Sequence, residues 1–388
     1  MHLFKTTLIG ACILLATSCS KKDAEISKPG GDNCITSNAS FSGEAIPGQY
    51  IVLYKPSEEN KDATAHRMAQ IRSMLLEKNN IAPASVRAIF GGKLAGFVAR
   101  LNAAEAKKLS EDPAVQVVEQ DRVVALSTCF TVVAPTLITW NVTKVGYGNG
   151  IGKTVWVIDT GIDMDHPDLT VDAGKSKSFL PNITSPDDEN GHGTHVAGII
   201  AAKNNNFGTL GVASGATVVS LRVLDKDGKG TSSAIVQALA HINTYGKPGD
   251  VVNLSLGEDV ISVAMDQQVQ YTASRGILMS IAAGNEGKSA NLYSPGRANG
   301  DNIFTVSAVD SLDNFASFSN FGNDVVDYAA PGVRILSTYK DGLYAKMSGT
   351  SMAAPHVAGL LLLNGRNLHF STTAMNDPDG TPDRIASK

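Results

Sequence analysis

Three side chains, far apart along this sequence, form a set that could do nucleophilic chemistry. Ser351 sits in Ser348-Gly349-Thr350-Ser351-Met352-Ala353-Ala354-Pro355-His356-Val357-Ala358-Gly359, a small hydroxyl between a glycine turn and an apolar run. The run over 352–363 reads as a buried helix. Ser351 then lies at its N-terminus, where free N–H groups and the positive dipole end favour developing negative charge. A hydroxyl there is placed for acyl transfer, although alone it reads as a helix cap. Asp159 ends the β-rich run Val155-Trp156-Val157-Ile158. That pattern reads as a central parallel strand with its carboxylate at the C-terminal edge, where open α/β sheets place their sites. His192, in Asn190-Gly191-His192-Gly193-Thr194-His195-Val196-Ala197-Gly198, opens a second small-residue helix. An acid, an imidazole and a hydroxyl, each at the end of an element, are the parts of an activated serine.

In order, Asp-Thr-Gly, His-Gly-Thr-His-Val-Ala-Gly and Gly-Thr-Ser-Met-Ala-Ala-Pro-His-Val-Ala-Gly resemble the subtilisin-type serine proteases, or subtilases, over about residues 140–364. The acid–histidine–serine order is the one known for subtilisin. The resemblance implies Ser351 as nucleophile, His192 as the base that takes its proton, and Asp159 as the group that orients the imidazole. It also places Asn285, in Ala282-Ala283-Gly284-Asn285-Glu286-Gly287, as a donor to the tetrahedral oxyanion beside the Ser351 N–H. A zinc site at His192 and His195, three apart on one helix face, lacks the glutamate of His-Glu-x-x-His and an obvious third ligand. His195 and His356 read instead as packing histidines. A catalytically silent fold acting as a binding protein is the alternative; all four catalytic positions are intact.

The same resemblance implies a structural calcium ion. Asp168 and Asn205 would offer side-chain oxygens, and Lys203, Phe207 and Thr209 carbonyls, an all-oxygen shell suited to a hard cation. The Asn-rich segment 203–211 is expected to interrupt the helix that begins at His192. Substrate would bind as an extended strand between two edges. Gly228, Lys229 and Gly230 match one, the glycines leaving room for a peptide. Ser255, Leu256 and Gly257 match the other. Glu258 and Asp259 follow where the family often has another glycine. With Glu286 near the rim, they suggest a preference for basic residues at the cleavage point.

The chain has 388 residues, 43% hydrophobic and 18% charged, enough for two or three domains. A net charge of −4 without a long basic stretch argues against nucleic acid as a partner. Lys5 followed by the apolar run 8–18 reads as a signal peptide over 1–18. Leu15-Ala16-Thr17-Ser18-Cys19 resembles a bacterial lipoprotein box. This implies lipidation of Cys19, a membrane contact through that anchor alone, and an exported protein of the envelope or the exterior. Residues 19–47 read as a flexible tether. Cys34 in the tether and Cys129 could pair in an oxidising compartment.

Residues 48–126 show a β-α-β-β-α-β order, the ferredoxin-like α+β sandwich, with a last strand over 114–118. This resembles the inhibitory propeptide of subtilases, whose C-terminal segment would lie in the cleft as a product strand. Residues 127–388 are then the catalytic domain, an α/β three-layer fold on a mainly parallel sheet. Its short polar tail is expected to be either packed or partly disordered. Proteins or peptides are the expected substrates, and the propeptide an intramolecular inhibitor.

Overall fold

The computed structural model describes residues 43–55, 65–92, 94–125, 129–132 and 138–388. The signal segment, Cys19 and Cys34 lie outside them, and with Cys34 the expected pairing to Cys129. In the N-terminal domain the strand Ala45–Tyr54 runs antiparallel between Gly96–Arg100 and Val115–Ala125, with Val86–Phe90 at the edge. Helices α1 (Ala65–Lys78) and α2 (Ala103–Ser110) complete the expected sandwich. Asn102 and Glu105 start α2 with a reciprocal capping box, at 2.9 and 2.8 Å.

The run Ile51-Val52-Leu53-Tyr54 is apolar without interruption because both faces of this sheet are covered. Val52 and Tyr54 pack with Leu75, Leu76 and Leu109 of the helices. Ile51 and Leu53 point the other way, into a core shared with the catalytic domain. Two boundaries differ from the sequence reading. The last strand does not stop near 118 but continues to Ala125. The tether ends before 47, since Gly43 and Glu44 already exchange main-chain hydrogen bonds with Val123, at 2.8 and 2.9 Å.

The C-terminal domain is built on one main sheet. From one edge its strands run His369–Thr373, Arg384–Ser387, Val326–Pro331, Ile303–Val309, Leu278–Ala282, Val251–Leu254, Thr154–Asp159 and Thr217–Arg222. The short strands Thr170–Val171 and Lys177–Ser178 close the far edge. All these pairings are parallel except that of the first two strands. Side chains alternate between two cores. Val155 and Val157 face helices α4 (His192–Ala201) and α7 (Thr350–Asn364), beside which lies α3 (Trp140–Val145). Trp156 and Ile158 face α5 (Ser232–Tyr245) and α6 (Val263–Ser274). These are the expected three layers.

The C-terminal tail is ordered sheet. Arg384–Ser387 adds to Val326–Pro331, burying Ile385 and Ala386, while His369–Thr373 forms an exposed rim, which is why its residues read as polar. Helix α4 ends at Ala201 and does not resume after the Asn-rich loop; the expected interruption is a termination.

Candidate active site

Asp159 is the last residue of the strand Thr154–Asp159, and His192 is the first of α4. Both are buried. Asp159 Oδ1 accepts from its neighbour Thr160 N–H at 2.7 Å and lies 2.7 Å from His192 Nδ1. The histidine is thus held in the orientation that leaves Nε2 as the working nitrogen. Ser351 lies in the first turn of α7 and is 4% exposed. Its hydroxyl donates to the Ser255 carbonyl at 3.1 Å, while His192 Nε2 has no hydrogen-bond partner. The serine–histidine link is therefore open in this state. Such catalytic hydrogen bonds commonly tighten only once substrate is bound.

Pro355 explains why Ser255 and Ser351 are joined. It stands inside α7 and has no N–H, so the Ser351 carbonyl loses its partner from the next turn. Ser255 Oγ fills that role at 2.7 Å, itself held by Asn253 Nδ2 at 2.8 Å. Asn285 is oriented in a similar way. Its Oδ1 accepts from the Thr350 N–H at 2.8 Å and lies 3.0 Å from the Thr350 hydroxyl. The amide's other end, Nδ2, is therefore the donating end.

The end of the strand Val115–Ala125 lies along the short strand Lys229–Thr231. Val123, Val124 and Ala125 pair antiparallel with Thr231, Gly230 and Lys229. Val124 is fully buried in the cluster that contains Ile235, Leu256, Ala264 and Met265. Gly228 makes the preceding turn at φ +71°. Gly230 departs from its expected role. A Cβ there would collide with the Val223 carbonyl of its own hairpin, so the missing side chain closes that hairpin rather than making room for the peptide. On the second edge, Ser255 is engaged with Ser351, and Leu256 and Gly257 continue past the strand Val251–Leu254.

His195 Nε2–H donates to the carbonyls of Ile335 and Ala345, 3.0 and 3.1 Å away, and burial lowers its pKa to about 3. His356 bridges Asn141 and Met352, both at 2.8 Å, and burial lowers it to about 4. Both rings are neutral packing elements.

A family model described as the subtilase family matches residues 150–373, more than half of the chain. The chain belongs to the subtilase family. A second model, peptidase inhibitor I9, matches residues 49–127 of this subtilase. It is similar to a thermophilic serine proteinase of Bacillus sp. (strain AK1), 45% identical over 232 residues, covering 59% of this chain and 55% of that one. It is also similar to subtilisin BL of Lederbergia lenta, 46% identical over 214 residues, 55% of this chain and 76% of that one. A crystal structure of a cold-adapted subtilisin-like serine proteinase superposes with a TM-score of 0.56 at 33% identity, covering 64% of this subtilase and 98% of that chain. The chain thus spans about half of the first relative and three quarters of the second.

Sequence reasoning missed three carboxylates that build this subtilase's site. Asp188 is buried, and burial raises its pKa. Its Oδ1 accepts from the Thr160 hydroxyl and the Gly191 N–H, at 2.8 and 2.9 Å. Its Oδ2 accepts from the Thr194 hydroxyl and N–H, at 2.6 and 3.0 Å. It thereby ties the end of the Asp159 strand to the start of the His192 helix. An aspartate three residues before Gly191 was the available signal. Glu119 and Asp121 of the propeptide cap two helices of the catalytic domain. Glu119 accepts from the Ser262 hydroxyl and from Ala264 N–H (3.1 Å) at the start of α6. Asp121 accepts from Ser233 N–H at 2.9 Å at the start of α5.

The structure brings Asp168, Lys203, Asn205 and Thr209 together. Asp168 is buried, which raises its pKa, and its oxygens accept from Asn205 Nδ2 (3.1 Å), Thr209 N–H (3.0 Å) and the Tyr344 hydroxyl (3.2 Å). Lys203 N–H donates to the Asp168 carbonyl at 2.9 Å. Phe207 packs edge-on against Tyr344, and its N–H donates to Asn205 Oδ1 at 3.0 Å. The expected acidic rim of the cleavage point is divided. Glu286 accepts from Asn320 Nδ2 at 2.7 Å, with Asp259 in electrostatic range, whereas Glu258 turns away to the Ser232 hydroxyl at 2.8 Å.

Proposed function

We propose that this chain is a serine endopeptidase made as a self-inhibited zymogen. The observation that carries this is the 2.7 Å Asp159–His192 bond in a cleft whose edge already holds the propeptide strand in register. In the reaction, Ser351 Oγ attacks the scissile carbonyl carbon while its proton passes to His192 Nε2. Asp159 stabilises the imidazolium that results. The carbonyl oxygen becomes an oxyanion, received by the Ser351 N–H and Asn285 Nδ2. His192 then delivers the proton to the departing amine. Water, activated by the same ring, releases the acyl group. A serine-directed fluorophosphonate is expected to modify Ser351 and abolish peptide cleavage, while a zinc chelator leaves cleavage intact. Full cleavage by quantitatively modified protein would sink this reading.

Calcium binding is part of the same proposal. Asp168 is a buried carboxylate that pairs with no Lys or Arg among the described residues, and Asn205 turned about its amide would present an oxygen beside it. With Lys203, Phe207 and Thr209 carbonyls these residues fit a structural ion. The ion would replace N–H donors as the counter-charge to Asp168. Millimolar calcium should raise Tm by several degrees relative to the same protein in EGTA, on the order of the 2–4 °C per kcal/mol expected of a domain this size. Identical Tm values in both would remove calcium from the account.

Export and lipid anchorage rest on the N-terminal sequence. The short apolar run behind Lys5 leads directly into Cys19. Cells fed an alkyne fatty acid are expected to label the chain, and Cys19→Ser to lose the label. An unlabelled wild-type chain would leave an unanchored exported protein.

A further inference from the structure

One buried carboxyl in the cleft has no part in the chemistry above. Glu258 follows Ser255-Leu256-Gly257 directly and is 1% exposed. Its Oε2 accepts from the Ser232 hydroxyl at 2.8 Å, and its Oε1 has no hydrogen-bond partner. Ser232 begins α5 immediately after the other edge, Lys229–Thr231. Glu258 therefore reaches across the floor between the two edges. The charged groups in electrostatic range of it belong to the strand lying over it: Glu119, Asp121 and Arg122. The Arg122 carbonyl is 3.4 Å from the same Ser232 hydroxyl, one residue upstream of the Val123–Thr231 pair.

The Arg122 guanidinium, however, donates to the Gly43 carbonyl at 2.8 Å. No donor reaches Glu258 Oε1. A buried carboxyl oxygen is normally satisfied, and the group that satisfies one best at a cleft floor is a cation with several N–H donors. The propeptide does not provide this, because its cation at this position is held at the Gly43 carbonyl. A substrate strand without that Gly43 contact leaves a basic side chain at the same position free to turn to Glu258 Oε1.

We propose that Glu258 floors a distal acidic subsite of the cleft. It selects substrates with arginine or lysine at the position Arg122 holds in the propeptide strand, two residues before the apolar residue that takes the place of Val124. This rests on the endopeptidase reading. The test uses processed enzyme and quenched peptides of residues 118–137 with position 122 as Arg, Lys, Leu or Glu. A peptide of 123–137, too short to reach the subsite, serves as the activity control. Arg and Lys are expected to exceed Leu in kcat/KM by about fivefold or more, the scale of a well-placed ion pair, with Glu lowest. In Glu258→Gln the Arg-to-Leu ratio should fall to near one. Equal rates for Arg and Leu in the wild type, or the same ratio in Glu258→Gln, would overturn the subsite. Failure to cleave the 123–137 control would overturn the endopeptidase reading itself.

Discussion

The full chain carrying Ser351→Ala is expected to accumulate as one unprocessed species under conditions in which the wild type separates into propeptide and enzyme. The processing rate should fall by at least about 10⁴-fold, the scale on which a serine nucleophile acts. The substitution removes one hydrogen bond, from the Ser351 hydroxyl to the Ser255 carbonyl. It spares the Ser351 carbonyl that Ser255 Oγ supports, so α7 keeps its support. Unchanged Tm with lost processing would separate chemistry from folding. Purified Ser351→Ala that still cuts itself at the wild-type rate would refute the assigned nucleophile.

Retention of the cleaved propeptide should weaken as pH rises. Glu258 of the enzyme meets Glu119 and Asp121 of the propeptide across a buried interface, with Arg122 the cation in range of Glu258 and Asp266 adding negative charge near Glu119. Burial raises the pKa of all three carboxyls, that of Glu258 to about 8. Groups whose pKa is higher in the complex than in the separated partners take up protons on docking. Their contribution is complete below the ordinary glutamate pKa and is lost as pH climbs through the raised values. Between pH 5 and pH 9 the dissociation constant should increase by about 10²-fold, less than an isolated Glu258 shift would give because the released site is solvated. Gel filtration of the processed complex, its Ser351 blocked, reads this without reference to catalytic rate. A retained fraction identical at pH 5 and 9 would show that these carboxyls titrate equally in both states.

The candidate set Asp159, His192 and Ser351 was legible because each member sits in a short context that reports its own position. Asp159 closes an apolar strand, His192 follows Gly191 and opens a small-residue helix, and Ser351 stands two residues after Gly349 in the first turn of another. The order of the propeptide's elements was legible for the same local reason. What escaped depends on partners distant in sequence. The direction of the Ser351 hydroxyl is decided with Ser255, 96 residues away. Glu258 was expected beside Glu286 at the cleavage point. Its rotamer is instead settled by Ser232 at the start of α5, and Glu286 goes to Asn320. The polar tail hid a strand pair, because an edge strand exposed along its whole length carries no apolar alternation, and only Ile385 and Ala386 mark its buried neighbour. The propeptide's last strand reads as ending at 118 because Glu119-Gln120-Asp121-Arg122 breaks its apolar run, and the segment beyond reads as a separate product strand. Two of those four are helix caps for the other domain.

Those borrowed caps change the kinetic order of assembly. While the propeptide is covalently attached, Glu119 and Asp121 meet α6 and α5 at a fixed effective concentration, and the encounter is first-order. Once the proposed cut is made, the same encounter becomes second-order, and dilution can abolish it. A molecule that opens after the cut fragment has diffused away no longer has Glu119 and Asp121 to cap α6 and α5. Its working lifetime is then set by the height of the barrier to opening rather than by the depth of the native well.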